Sequence, residues 1–242
     1  MDGVRPSRTL LLLVPALALA AACGPGPILG SSSGSLDAPP QPGVALPVVD
    51  PALSPTELDG WAGTTAASTG ISATALRAYG YAAGAQAAAD PSCGISWTTL
   101  AGIGYIESRH GTFGGAALDA EGNALPSIRG VPLDGTAGNA AIADTDGGAL
   151  DGDPELDRAV GPMQFIPETW QRWGVDADGD GVADIDNITD AAASAARYLC
   201  ASTDTMTTAD GWRAGLGTYN RSAAYARDVL RAADTYAGRS LG

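Results

Sequence analysis

Glu107 holds the position in this chain that most invites chemistry. On a wheel of about 100° per residue, Ile103 falls at about −40° from it, Leu100 at about 20° and Trp97 at about 80°. The glutamate therefore sits inside the apolar stripe of the segment Trp97–Arg109. Loss of water there raises a carboxyl pKa and keeps the group protonated near neutral pH, as a general acid needs. The same spacing also fits a glutamate that bends out to water or pairs with Arg109 or Arg158. His110 is the single histidine, so a two-histidine zinc site on a helix is excluded and hydrolytic chemistry must run mainly on carboxylates.

Gly161-Pro162 makes a rigid turn that presents Met163, Gln164 and Phe165 to one side of a groove. Gln164 offers a donor and an acceptor to an acetamido or hydroxyl group, while Met163 and Phe165 supply either apolar contact to sugar faces or core packing. Asn220 precedes a helix capped by Ser222, where it either orients the Glu107 carboxylate or a sugar group or serves as a turn residue. Tyr219 and Tyr225 read as sugar stackers or as helix-packing residues.

A different chemistry is suggested farther along. Asp176, Asp178, Asp180, Val182 and Asp184 fall on the first, third, fifth, seventh and ninth positions of an EF-hand loop, with Gly181 at the sixth. Asn187 stands where the bidentate Glu belongs, which predicts a weak structural Ca2+ site with no part in the chemistry. The alternative is a solvated acidic turn. A second acidic stretch around Asp144, Asp146, Asp151 and Asp157 lacks loop spacing and reads as cleft wall.

These residues need positioning elements. Ser72 can cap a helix that runs to Asp90-Pro91, and Ser96 one from Trp97 to Arg109. The stretch Thr112–Asp157 is rich in Gly and Asp, with strand character only over Ile128–Leu133, and is too long for an idle loop. Further helices are predicted over Pro167–Trp173, Asp190–Ala201, Asp210–Gly217 and Ala223–Ala237. The expected fold is mainly α, an α+β domain with minor strands.

The 242 residues, 45% hydrophobic and 17% charged, suffice for one such domain. Thirteen basic residues, all Arg, face 27 acidic ones, and a net charge of −14 argues against nucleic acid as a partner. Residues 1–22 read as a signal peptide, with Arg5 and Arg8 before an apolar run too short to span a bilayer. The run closes on Ala20-Ala21-Ala22-Cys23, which resembles a lipoprotein signal; ordinary secretion is the alternative. A lipid on Cys23 would anchor the protein on the outer face of the cytoplasmic membrane or in the cell wall. It would leave Cys93 and Cys200 as an even pair, and export then favours a disulfide over two free thiols. Residues 23–69, rich in Pro, Gly, Ser and Ala, read as a disordered tether, with Leu53, Leu58 and Trp61 as its candidates for docking. The catalytic domain is expected over 70–242.

Three separated segments carry a family likeness: Tyr105-Ile106-Glu107-Ser108-Arg109-His110-Gly111, Ala159 through Pro167 with Gly161-Pro162-Met163-Gln164-Phe165, and Tyr219-Asn220. In order and rough spacing the chain resembles the lytic murein transglycosylases, specifically the membrane-bound lytic transglycosylase B branch and its goose-type lysozyme-like domain. The resemblance implies a lysozyme-like fold and peptidoglycan glycan strands as substrate. It implies that Glu107 is the sole acid/base at the bond between N-acetylmuramic acid and N-acetylglucosamine, leaving 1,6-anhydro ends. It further implies substrate contacts from Ser108, Met163, Gln164, Phe165, Tyr219 and Asn220, and an EF-hand-like ion site. Two other functions remain open at this point. A hydrolytic muramidase would need a second carboxylate such as Asp119, Asp144, Asp146 or Asp151. A noncatalytic wall-binding lipoprotein would keep only the groove.

Overall fold

The computed structural model of the chain describes residues 35–52, 54–136 and 139–242. The signal-like segment, Cys23, the first part of the expected tether and Leu53 lie outside them. Seven α-helices dominate the described residues: α1 (Asp59–Thr69), α2 (Ala73–Ala89), α3 (Trp97–Ser108), α4 (Pro167–Trp173), α5 (Ile188–Cys200), α6 (Ala209–Tyr219) and α7 (Ala223–Ser240). Two small antiparallel pairs accompany them, β1 (Ala117–Leu118) with β2 (Ala124–Leu125), and β3 (Arg129–Pro132) with β4 (Arg158–Val160). The expected class, mainly α with minor strands, is the one observed.

Local chemistry sets the helix starts. Ser72, Ser96, Thr208 and Ser222 each accept a hydrogen bond from the backbone N–H three residues on, satisfying one of the donors a first turn leaves unpaired. α3 ends with Arg109 and His110 in the left-handed region, and their N–H groups return to the last carbonyls of the helix. α5 packs against α2 and α3 against α7, the small residues of α2 allowing close approach. Trp97, Trp212, Tyr79, Leu100, Ile103 and Leu199 fill the core between them. Cys93 and Cys200 are bridged, with Cα atoms 5.5 Å apart, and tie the entrance of α3 to the end of α5.

The expected tether is corrected from Ser35 onward. Leu36, Val44, Leu46 and Trp61 pack against the core, Leu58 and Ala62 are buried, and residues 59–69 form α1. Composition asks whether a segment can bury surface on itself. These few apolar residues instead dock on a surface the helices already provide, and Trp61 meets Trp97 edge to face with ring centroids 5.4 Å apart.

Candidate active site

Glu107 occupies the last turn of α3 and is only 7% exposed. The hydroxyl of Tyr225, in the first turn of α7, donates to its Oε1 at 2.6 Å. The Ser222 cap holds that turn, because its Oγ accepts the Tyr225 N–H. Burial pushes the Glu107 carboxyl up to about 8, and the Tyr225 bond, which favours the charged form, offsets only part of that. Desolvation wins, and the group is protonated at neutral pH. The rival pairings are not formed: Arg109 donates to the Tyr105 hydroxyl and lies over its ring, and Arg158 pairs with Asp153.

The turn after β4 is held from two sides. Ser108 Oγ donates to the Pro162 carbonyl at 2.5 Å and accepts the Gly111 N–H at 2.7 Å. Tyr219, at the end of α6, donates to the next carbonyl, that of Met163, at 2.5 Å. Gly161 has φ +76°, and a Cβ on it would lie 1.9 Å from the Ile185 carbonyl oxygen, so the turn sits directly on the loop before α5. Val160 and Phe165 close the turn by exchanging both backbone hydrogen bonds.

Several residues expected to touch substrate make protein contacts. Ser108, Met163, Phe165 and Tyr219 are all buried in protein contacts. Phe165 packs edge to face on Trp170 and on Tyr219. Asn220 is buried, and its Oδ1 accepts the Ser222 N–H in the turn into α7. Gln164 differs. Its backbone is left-handed at φ 51° and its Nε2 donates to Gly161 O, but its buried Oε1 has no hydrogen-bond partner among the described residues. An orphaned acceptor costs about 1–3 kcal/mol, so Gln164 is poised to receive a donor from a bound molecule. Tyr225 is the residue that sequence reasoning placed too loosely; the Ser222 cap fixes its turn, but no spacing signal links it to a carboxyl 118 residues away.

In the acidic loop, carboxylate oxygens of Asp176, Asp178 and Asp190 lie within 4.8 Å of one another. Asn187 stands at the last position of the expected loop. Its Oδ1 caps α5 through the Thr189 N–H and its Nδ2 donates to Asp178 Oδ2, so it faces the loop with a donor. Asp190, three residues on, converges with Asp176 and Asp178 and accepts N–H bonds from Ala177, Asp178 and Asp184. Asp180 and Asp184 stand outside this group, and Val182 is exposed. Burial pushes Asp190 up to about 6. Asp178 is raised by burial and by its like-charged neighbours.

The domain is mainly α, and Glu107 is a buried, protonated carboxyl beside a clamped turn. Residues 157–215 match the family model of the transglycosylase SLT domain. The match runs from the end of the acidic stretch through the clamped turn, the Asp176–Asn187 loop and α5 into α6, and supports the lytic transglycosylase and lysozyme-like superfamily and a peptidoglycan-directed enzyme. Glu107 and Tyr225 lie outside it. No curated protein and no solved structure matches the chain. A substrate of this kind suggests an extracellular or periplasmic location, and no helix among the described residues is long and apolar enough to cross a membrane.

Proposed function

We propose that the protein is a lytic transglycosylase of the membrane-bound B type, cutting the β-1,4 bond between N-acetylmuramic acid and N-acetylglucosamine with Glu107 as its only acid/base. The observation that carries this reading is the buried Glu107 carboxyl with Tyr225 as its hydroxyl partner. Protonated Glu107 gives its proton to the glycosidic oxygen as the bond to C1 breaks. The resulting carboxylate, held by Tyr225, accepts the proton of the muramyl 6-hydroxyl as that oxygen closes on C1. The proton lost in the first half is regained in the second, and no water is consumed. Gln164 Oε1 takes a donor from the sugar, which relieves its orphaned state.

The single-carboxyl scheme is favoured over a hydrolase by what occupies the other acids. Asp119 accepts from the Gly122 and Asn123 backbone, Asp144 from Gly147 and Gly148, Asp146 from Ala149 and Leu150, and Asp151 from Asp153 and Arg158. Each is a turn carboxylate committed to backbone N–H groups. Asp176, Asp178 and Asp190 suit a hard cation such as Ca2+, which would supply the positive charge their crowding calls for. Lipid on Cys23 would set the enzyme on a membrane facing the wall. Glu107→Gln tests the scheme: purified glycan strands should stay uncut while the fold is retained. Retention of more than about a tenth of the activity would move the general acid elsewhere.

A further inference from the structure

The chain before α1 makes an unusual set of bonds. Gln41 stands between Pro40 and Pro42, in a stretch whose prolines remove N–H donors and favour an extended backbone without internal hydrogen bonds. Its remaining backbone groups look outward. The Gln41 N–H donates to Asp234 Oδ1 on α7 at 3.0 Å, and its carbonyl accepts from Thr98 Oγ1 on α3 at 2.7 Å. Val44 repeats the pattern, with its N–H on Ser240 Oγ of α7 at 2.9 Å and its carbonyl on Trp97 Nε1 of α3 at 3.1 Å. Gly43 between them has φ +70°, and a Cβ there would come within 2.8 Å of Ser240 Oγ and of Trp97. The two rungs leave no room for any other residue.

These rungs join the start of α3 to the end of α7. At the other end of the same helix pair, the end of α3 meets the start of α7 through Glu107 and Tyr225. The helices are therefore antiparallel, with the rungs and the carboxyl separated by roughly 15 Å at 1.5 Å per residue. A small slide of one helix along the other would break a 2.6 Å bond at the far end.

We propose that residues 41–44 form a positioning clip that sets the register of α7 on α3, and so holds Tyr225 on the Glu107 carboxyl. The clip uses backbone groups of the strap and side chains of the helices, so one bond of each rung, from Thr98 and from Ser240, can be cut from the helix side without touching the site. Its kinetic consequence rests on the proposed function; its structural consequence does not.

The test uses the full chain carrying Thr98→Val with Ser240→Ala, and a rescue chain carrying Thr98→Ser with Ser240→Thr. Since displacements of about 1 Å can cost up to about 100-fold in rate, kcat on purified glycan strands should fall about tenfold with KM nearly unchanged, and the rescue chain should recover most of it. Without substrate, backbone amides of residues 104–108 and 225–229 should exchange faster in the cut chain and return to normal in the rescue chain. A drop in melting temperature alone, with kcat and exchange at those two turns unaltered, would overturn the clip. The single variants Thr98→Val and Ser240→Ala decide the matter by the same readings if the double variant does not fold. Should the wild-type chain cut no glycan, the proposed function fails and the exchange experiment alone judges the clip.

Discussion

The Tyr225 hydroxyl stands 2.6 Å from Glu107 Oε1, so a residue of the first turn of α7 governs the carboxyl at the end of α3. The bond favours the charged carboxylate and so works against the burial that raises its pKa. Tyr225→Phe removes that pull. The alkaline limb of kcat/KM, which reports loss of the protonated acid, should move upward by on the order of one pH unit, since a hydrogen bond to a charged group contributes about 1.5–3 kcal/mol. The rate should fall as well, because the carboxylate formed in the first step loses its partner. A pH profile identical to wild type would show that Tyr225 only packs.

The raised Glu107 carboxyl also burdens stability as pH rises. Its folded value is about 8, while an unfolded glutamate titrates near about 4.3. Folding is unaffected by this group below the unfolded value, and stability drains away as pH climbs toward the folded one. Glu107→Gln should therefore be as stable as wild type near pH 4 and more stable near about pH 8, by on the order of a few kcal/mol, read as a higher melting temperature. Equal melting curves across that range would mean the carboxyl is not buried as described.

The Cys93–Cys200 bridge spans 107 residues, and a loop of that size is expected to contribute roughly 3–5 kcal/mol by restricting the unfolded chain. Alkylation of the unreduced, denatured protein should label neither cysteine. Replacing both by Ala should lower stability by about that amount with Glu107 chemistry intact. Labelling of both without reductant would refute the bridge.

Asp176, Asp178 and Asp190 converge, and a Ca2+ ion should raise the melting temperature by binding the folded state alone. Asp190→Asn should abolish the shift, whereas Asp184→Asn should preserve most of it, since Asp184 lies outside the converging group. Magnesium should substitute poorly, because it demands a tighter octahedral cage. Identical curves in excess calcium and in chelator would reduce the loop to a solvated acidic turn.

Much of the frame was legible because it is written locally. The Ser72, Ser96 and Ser222 caps and the apolar stripe around Glu107 each lie within one segment, and the helices expected there form within a few residues of their predicted ends. The cysteine count anticipated the bridge. What escaped depends on contacts between distant segments. The family resemblance implies substrate contacts from Ser108 and Tyr219, whose hydroxyls the structure places on the Pro162 and Met163 carbonyls. Asn187 matched a ligand position by count, but the start of α5 claims it as a cap and Asp190 converges instead. The strap from Ser35 to Asp50 has no period of its own, and only the grooves of α2, α3 and α7 give it a place.

The central claim is that a single carboxyl cuts the glycan without water, and mass spectrometry of purified strands after incubation with the full chain tests it most directly. The new muramyl ends should be 1,6-anhydro, each lighter by one water than a hydrolysed end, and cutting in ¹⁸O-labelled water should leave them unlabelled. Reducing ends carrying the label would show that a water attacks C1, and would contradict the single-carboxyl scheme in favour of a hydrolytic muramidase.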